Sequence, residues 1–166
     1  ARCPKLSNVF IPGAVYFTGN IFEGCTGLTE INIEDTNPDY CSVGGVVFDK
    51  GMTTLVIYPA GRQAEEYAIP NGVTTLPMNA FSDCVYLSSV TVPDSVEAIE
   101  IGAFWECAKL SAINVDENNE GYCSIDGVLF NKDKTKLISC PVGKTASHYD
   151  VPDGVMILSP DAFLNN

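Results

Sequence analysis

Three stretches of this chain repeat one another column by column, and that restricts the possible folds more than any other feature. They are IFEGCTGLTEINI (21–33), AFSDCVYLSSVTV (80–92) and AFWECAKLSAINV (103–115), and a fourth copy opens at Ala162-Phe163. An apolar-Pro pair precedes each Phe. Ile69-Pro70, Val92-Pro93 and Val151-Pro152 lead Phe81, Phe104 and Phe163 by 12 residues, and Ile11-Pro12 leads Phe22 by 11. The complete unit, from Ile69 to Val92 to Val115, is 23 residues. A unit that short cannot shelter its own apolar face. Stacked units bury a shared interior, each touching mainly its neighbours.

A longer repeat overlies the first. Residues 31–81 match 113–163 at a constant offset of 82 without a gap. Twenty-two of the 51 positions are identical, enough to make these two copies of one larger module, a regular rung plus an insert. The insert at 40–70 returns at 122–152.

The columns predict local structure. In Leu87-x-x-Val90-x-Val92 the two valines stand two apart and share one side of a strand. Pro93 removes a ladder donor and ends it. Ala103, Phe104, Cys107 and Leu110 have the spacing of a short helical or 3₁₀ segment. Ser159-Pro160-Asp161 reads as a helix start. In the insert, Ser42 to Phe48 and Thr54 to Tyr58 flank a polar turn and read as a hairpin, with a rung strand expected at Leu55 and Leu137. A period of 23 falls in the leucine-rich-repeat range. The predicted fold is therefore an α/β repeat solenoid: a leucine-rich repeat right-handed superhelix of about seven rungs. Short parallel strands, helical or 3₁₀ closures and β-hairpin inserts compose it. It is read as one domain over 1–166, with module copies at 21–84 and 103–166. Because the pattern runs to both ends, the chain is expected to be a piece of a longer or processed protein.

Composition narrows the role. Nine Lys and Arg oppose 21 Asp and Glu, a formal charge of -12 that repels phosphate and argues against nucleic acid. No apolar run is long enough for a bilayer span, so no membrane insertion is expected in this segment. Seven cysteines and one histidine lack the paired ligand spacing of zinc, and no cofactor is expected.

The columns Leu-x-x-Val-x-Val-Pro-x-x-Val-x-x-Ile and Ala-Phe-x-x-Cys-x-x-Leu, with the insert text SIDGVLFNKDKTKLISCP, resemble the BspA-like, or treponemal-type, leucine-rich repeats of bacterial surface proteins. The resemblance covers nearly the whole chain. It implies an extracellular or cell-surface protein of a bacterium, a non-catalytic protein-binding or adhesion module. Its partner would be a host or microbial surface protein or glycan. A passive spacer presenting other domains is the alternative.

Individual residues are weighed against that frame. Cys25, Cys84 and Cys107 share a column and are expected to fill the interior as small apolar side chains. Cys25 with Cys41, and Cys107 with Cys123, are equivalently spaced and leave two disulfides conceivable. Cys140 and His148 lack the remaining parts of a nucleophilic site. The acidic stretches 34–39 and 116–120 lack calcium-loop spacing and are expected to be solvated. Trp105 shares a column with Glu23, Ser82 and Leu164, and Tyr86 with Gly27 and Lys109. Such columns should face outward, which makes Tyr86 and Trp105 candidate binding residues on the outer face. Asn32, Thr91 and Asn114 are the candidates on the strand face, where a solenoid is expected to bind.

Overall fold

A computed structural model describes residues 2–144 and 148–164. Its strands are laid down rung by rung, in two lines. The first line begins with β1 (Asn8–Ile11) beside β2 (Glu30–Ile33), parallel, Asn8 opposite Glu30. It resumes with β6 (Glu66–Ala68), β8 (Ser89–Val92) and β10 (Ala112–Val115), a parallel sheet in the order β10-β8-β6. Ser89 faces Glu66 on one side and Ala112 on the other, so the 23-residue period of the text is the strand register. The second line includes β7 (Thr75–Leu76) parallel to β9 (Ala98–Ile99).

The inserts connect the two lines, and each is a three-stranded antiparallel meander rather than one hairpin. The first is β3 (Tyr40–Val43), β4 (Val46–Asp49) and β5 (Leu55–Ile57). The second is β11 (Tyr122–Ile125), β12 (Val128–Asn131) and β13 (Lys136–Ser139), with β14 (Ile157–Leu158) added parallel to β13. The run expected to be one strand from Ser42 to Phe48 folds back at Gly44 and Gly45, whose φ values are 55° and 80°. Two successive left-handed residues make the tight turn whose twist suits a hairpin. Asp126 and Gly127 do the same in the second copy, at 49° and 77°. The expected rung strands at Leu55 and Leu137 are present as β5 and β13.

The rung-closing segments are single turns. No helix occurs among the described residues, which corrects the expected helical or 3₁₀ closures, including the one read at Ser159-Pro160-Asp161. The backbone donors explain it. Phe81 N donates to Ala103 O at 2.8 Å and Asp83 N to Trp105 O at 3.0 Å, both on the next rung. Tyr58 N reaches Ala80 O, and Cys140 N reaches Ala162 O, in the same sideways manner. A helix would need those donors for its own carbonyls. Asp83 and Glu106 also hold φ near +60° and +55°, which stops any helical turn after one.

The interior is continuous and built from the repeated columns. Leu28, Leu87 and Leu110, Ile31, Val90 and Ile113, and Cys25, Cys84 and Cys107 are all buried. An aromatic file runs through the closing corner. Tyr58 stacks on Phe81 with centroids 5.2 Å apart, and Phe81 on Phe104 at 5.3 Å. Phe22 packs, half-buried, in the first cluster. Phe163 is 38% exposed, because no described rung lies beyond it.

Two devices fix each insert to its rung, and both recur at offset 82. Asn37 and Asn119 are buried and act as staples. Asn119 Nδ2 donates to Pro93 O and Val96 O, each at 2.9 Å, while its Oδ1 accepts from Gly121 N and Tyr122 N. Asn37 does the same with Val15 O, Asp39 N and Tyr40 N. Cations from the insert then hold backbone carbonyls. Lys50 reaches Asp35 O and Lys132 reaches Glu117 O, both at 2.9 Å, and Arg62 and Lys144 hold Gly44 O and Asp126 O. At the closing corner the insert rung is short, so its two neighbours meet directly. Gly24 N donates to Asp83 Oδ2 at 2.8 Å, and Gly102 N to Asp161 Oδ2 at 2.8 Å.

Candidate functional site

The strand face offers a flat row of polar side chains. Thr91 and Asn114 are opposite one another on β8 and β10, both exposed, with Ala68 of β6 completing the row. Adjacent strands lie about 4.8 Å apart. Asn32 is not part of this row. It lies half-buried on β2, opposite an exposed Phe10, in the other sheet of the line. The tip of the first insert closes that sheet, since Ile31 N donates to Gly45 O at 3.0 Å.

Not every polar column on this face is available. Thr29, Ser88 and Ser111 turn their hydroxyls back onto carbonyls of the preceding rung: Ser7 O and Glu65 O at 2.8 Å, and Ser88 O at 3.2 Å. These side chains are a structural ladder. Among the described residues Asn32, Thr91 and Asn114 make no side-chain hydrogen bond within the chain, so their polar atoms point to solvent uncommitted.

On the outer face the structure separates the two aromatic candidates. Tyr86 is exposed and carries Lys109 Nζ 5.4 Å from its ring centre, a cation–π contact between neighbours in one column. Trp105 is not solvent-facing as expected. It is half-buried, its ring lies over the backbone of Gly102, and its Nε1 is buried. A Cβ at Gly102 would stand 2.6 Å from that ring. Column logic missed this because the room is local to one rung, where glycine occurs and adopts φ +78°. Among the described residues Trp105 joins no aromatic pair, so the predicted Tyr86–Trp105 patch does not form.

Trp105, Glu23, Asp83 and Glu106 line a cleft of about 210 Å³. Glu106 titrates above the ordinary carboxylate range because it hydrogen-bonds Asp83, whose charge adds to the effect. Its charged form is therefore disfavoured in the fold. The stability gained from its bound proton is present at low pH and fades as pH rises through the raised value.

None of the described cysteines is in a disulfide, so neither Cys25/Cys41 nor Cys107/Cys123 is bridged in this structure. Cys107 Sγ donates to Phe81 O at 2.8 Å, and Cys41 and Cys123 lie 3.4 and 3.3 Å from Asp49 O and Asn131 O. Burial pushes the Cys84, Cys41 and Cys123 thiols up, most strongly Cys84. A thiolate, not a thiol, attacks a labelling reagent. In native buffer near pH 7 an aromatic disulfide reagent is expected to label Cys3 rapidly, Cys41 and Cys123 slowly, and the buried four only after denaturant. Fast release from four or more thiols in the folded protein would contradict this burial.

His148 is exposed and lies 2.8 Å from Asp150, while Cys140 is buried. The acidic loops 34–39 and 116–120 contain the Asn37 and Asn119 staples, which their composition concealed. The signal was present in the text: Asn is unchanged at offset 82 while the residues around it vary.

Parallel strands in a 23-residue register, with apolar columns facing a shared interior, define a leucine-rich-repeat β-solenoid. The chain belongs to the BspA type leucine rich repeat region family, whose model matches residues 1–53 and 60–151 in six copies. No curated protein matches the sequence. Three solved structures are similar. A leucine rich cell surface protein from Faecalibacterium prausnitzii has 28% identity and a TM-score of 0.65, over 95% of this chain and 39% of that one. A leucine-rich repeat protein from Eubacterium ventriosum has 17% identity and a TM-score of 0.63, over 97% and 46%. The pneumococcal vaccine antigen PcpA has 23% identity and a TM-score of 0.53, over 96% and 31%. The chain thus spans less than half the length of each solved structure it matches.

Proposed function

We propose that this solenoid is a non-catalytic binding module of a bacterial cell-surface or secreted protein, engaging a host or microbial surface protein or glycan. One observation carries the reading. On the strand face the Ser and Thr column nearest the rung start is tied to backbone, whereas Thr91 and Asn114 stand side by side, exposed and uncommitted. Family membership and the surface location named for the Faecalibacterium relative support the setting. The surplus of acidic side chains disfavours nucleic acid as the partner.

The test is a binding screen of the immobilised chain against purified host matrix proteins and glycans. Thr91→Lys with Asn114→Lys should weaken any saturable binding at least about tenfold, as loss of a central contact does. Tyr86→Ala should change it little. Full binding by the double variant would remove the strand face from the reading, and no saturable binding across the panel would favour the passive spacer.

A further inference from the structure

The two copies of the module offer an internal comparison, and at one place they differ in a way that opens a site. In the first copy Phe17 is buried and its ring stacks on Tyr40, centroids 4.3 Å apart and planes 17° from parallel. The Tyr40 hydroxyl donates to Phe17 O, which anchors the ring to its turn. Both rings are closed off from solvent, and Val56 beneath them is buried.

The second copy keeps the tyrosine and its anchor. Tyr122 Oη accepts from Ile99 N at 3.0 Å and lies 3.4 Å from Glu97 O. It lacks the second ring. Ile99 stands where Phe17 does, each five residues before the column phenylalanine, Phe104 or Phe22. Tyr122 and Ile138, the counterparts of Tyr40 and Val56, are now only half-buried. Between them is a cleft of about 310 Å³, walled by Ile99, Ile101, Tyr122 and Ile138, with Glu97 and Lys136 at its edge. Ile101 is 49% exposed at its mouth. An apolar cleft with a few polar groups at the rim has the make-up of a ligand site.

We propose that this cleft binds an aromatic side chain of a protein partner, seated on Tyr122 as Phe17 is seated on Tyr40. The first copy shows what this architecture accepts there: a flat ring offset-stacked on the tyrosine, a geometry that adds attraction beyond area alone. Glu97 and Lys136 are placed to receive the polar backbone that carries the ring. The source of the ring rests on the binding role proposed above, whereas the preference for a ring rests on the two module copies alone.

The probe is N-acetyl-phenylalaninamide, titrated into isotope-labelled full chain and read by NMR, with N-acetyl-leucinamide as the control. A ligand of this size is expected to bind with a Kd on the order of 1 mM. Shifts should saturate at Ile99, Ile101, Tyr122 and Ile138, and the leucine amide should bind at least about fivefold more weakly. Ile99→Phe restores the ring of the first copy and should abolish the shifts. Ile101→Lys, at an exposed position that leaves the core intact, should weaken them at least about tenfold. No saturable shift, equal shifts from both amides, or shifts that survive both substitutions would overturn the proposal. Reversible self-association that disappears in Ile99→Phe would make the ring that of a second copy, through exposed Phe10 or Tyr16, and overturn the assignment to a different partner. The double substitution at Thr91 and Asn114 should leave probe binding unchanged, so failure of the strand-face reading and failure of this one are separable.

Discussion

Phe81→Ala is expected to cost about 3–5 kcal/mol, the range for deleting a fully buried aromatic side chain. The ring is fully buried, stacked between Tyr58 and Phe104, with Tyr67 tilted against it at 6.1 Å. Neighbouring rings are held by their own rungs and cannot close the space, so the cavity term persists. In a stacked array the loss also weakens both interfaces the rung makes. Thermal unfolding followed by circular dichroism should show a drop of roughly 10 °C for a chain of this size. Phe163→Ala tests the same column where the ring is 38% exposed, and its cost should be about a third as large. Equal costs at the two positions would mean that the column is not a stacked file.

Asn119→Ala is expected to cost about 3 kcal/mol, although it removes almost no apolar surface. Four short bonds disappear at once, and two carbonyls and two N–H groups in a buried corner are left without partners. Denaturant unfolding should show the loss. Asn119→Asp separates the two halves of the staple. The substituted carboxylate still accepts from Gly121 N and Tyr122 N, but it faces Pro93 O and Val96 O as a buried anion. Protonation supplies the missing donor, so the folded-state pKa of the introduced acid is raised above its unfolded value. Stability should therefore be greatest below the unfolded value and fall as pH rises through the folded one. A variant as stable as the parent at pH 7 would show that the corner is wet and the staple dispensable.

The architecture was readable because repetition exposes columns, and columns expose which way a side chain faces. Leu87, Val90, Val92, Phe81 and Cys84 lie where that logic puts them. It failed where structure depends on direction across the stack. Apolar spacing in Ala103, Phe104, Cys107 and Leu110 suits a helix, but spacing does not reveal that the backbone donors go sideways to the next rung. The meander was signalled by Gly44-Gly45 and Asp126-Gly127, two-residue turns hidden inside apolar runs. Trp105 was misread because its neighbour Gly102, not its column, decides its place. The cleft at Tyr122 was invisible as a cleft. It comes from Ile99 replacing an aromatic in a rung whose length also changes, a difference that matters only once Tyr40 and Phe17 are seen to touch.

The short insert rung gives the axis a direction. At the closing corner neighbouring rungs touch across it, Gly24 to Asp83 and Gly102 to Asp161. On the other flank the same insert adds β3 and β4, or β11 and β12. Each module is thus a keystone, thin on one side and broad on the other. A column of such stones curves into an arch, and lengthening it changes how far the arch reaches around an object rather than how far it stands from the cell.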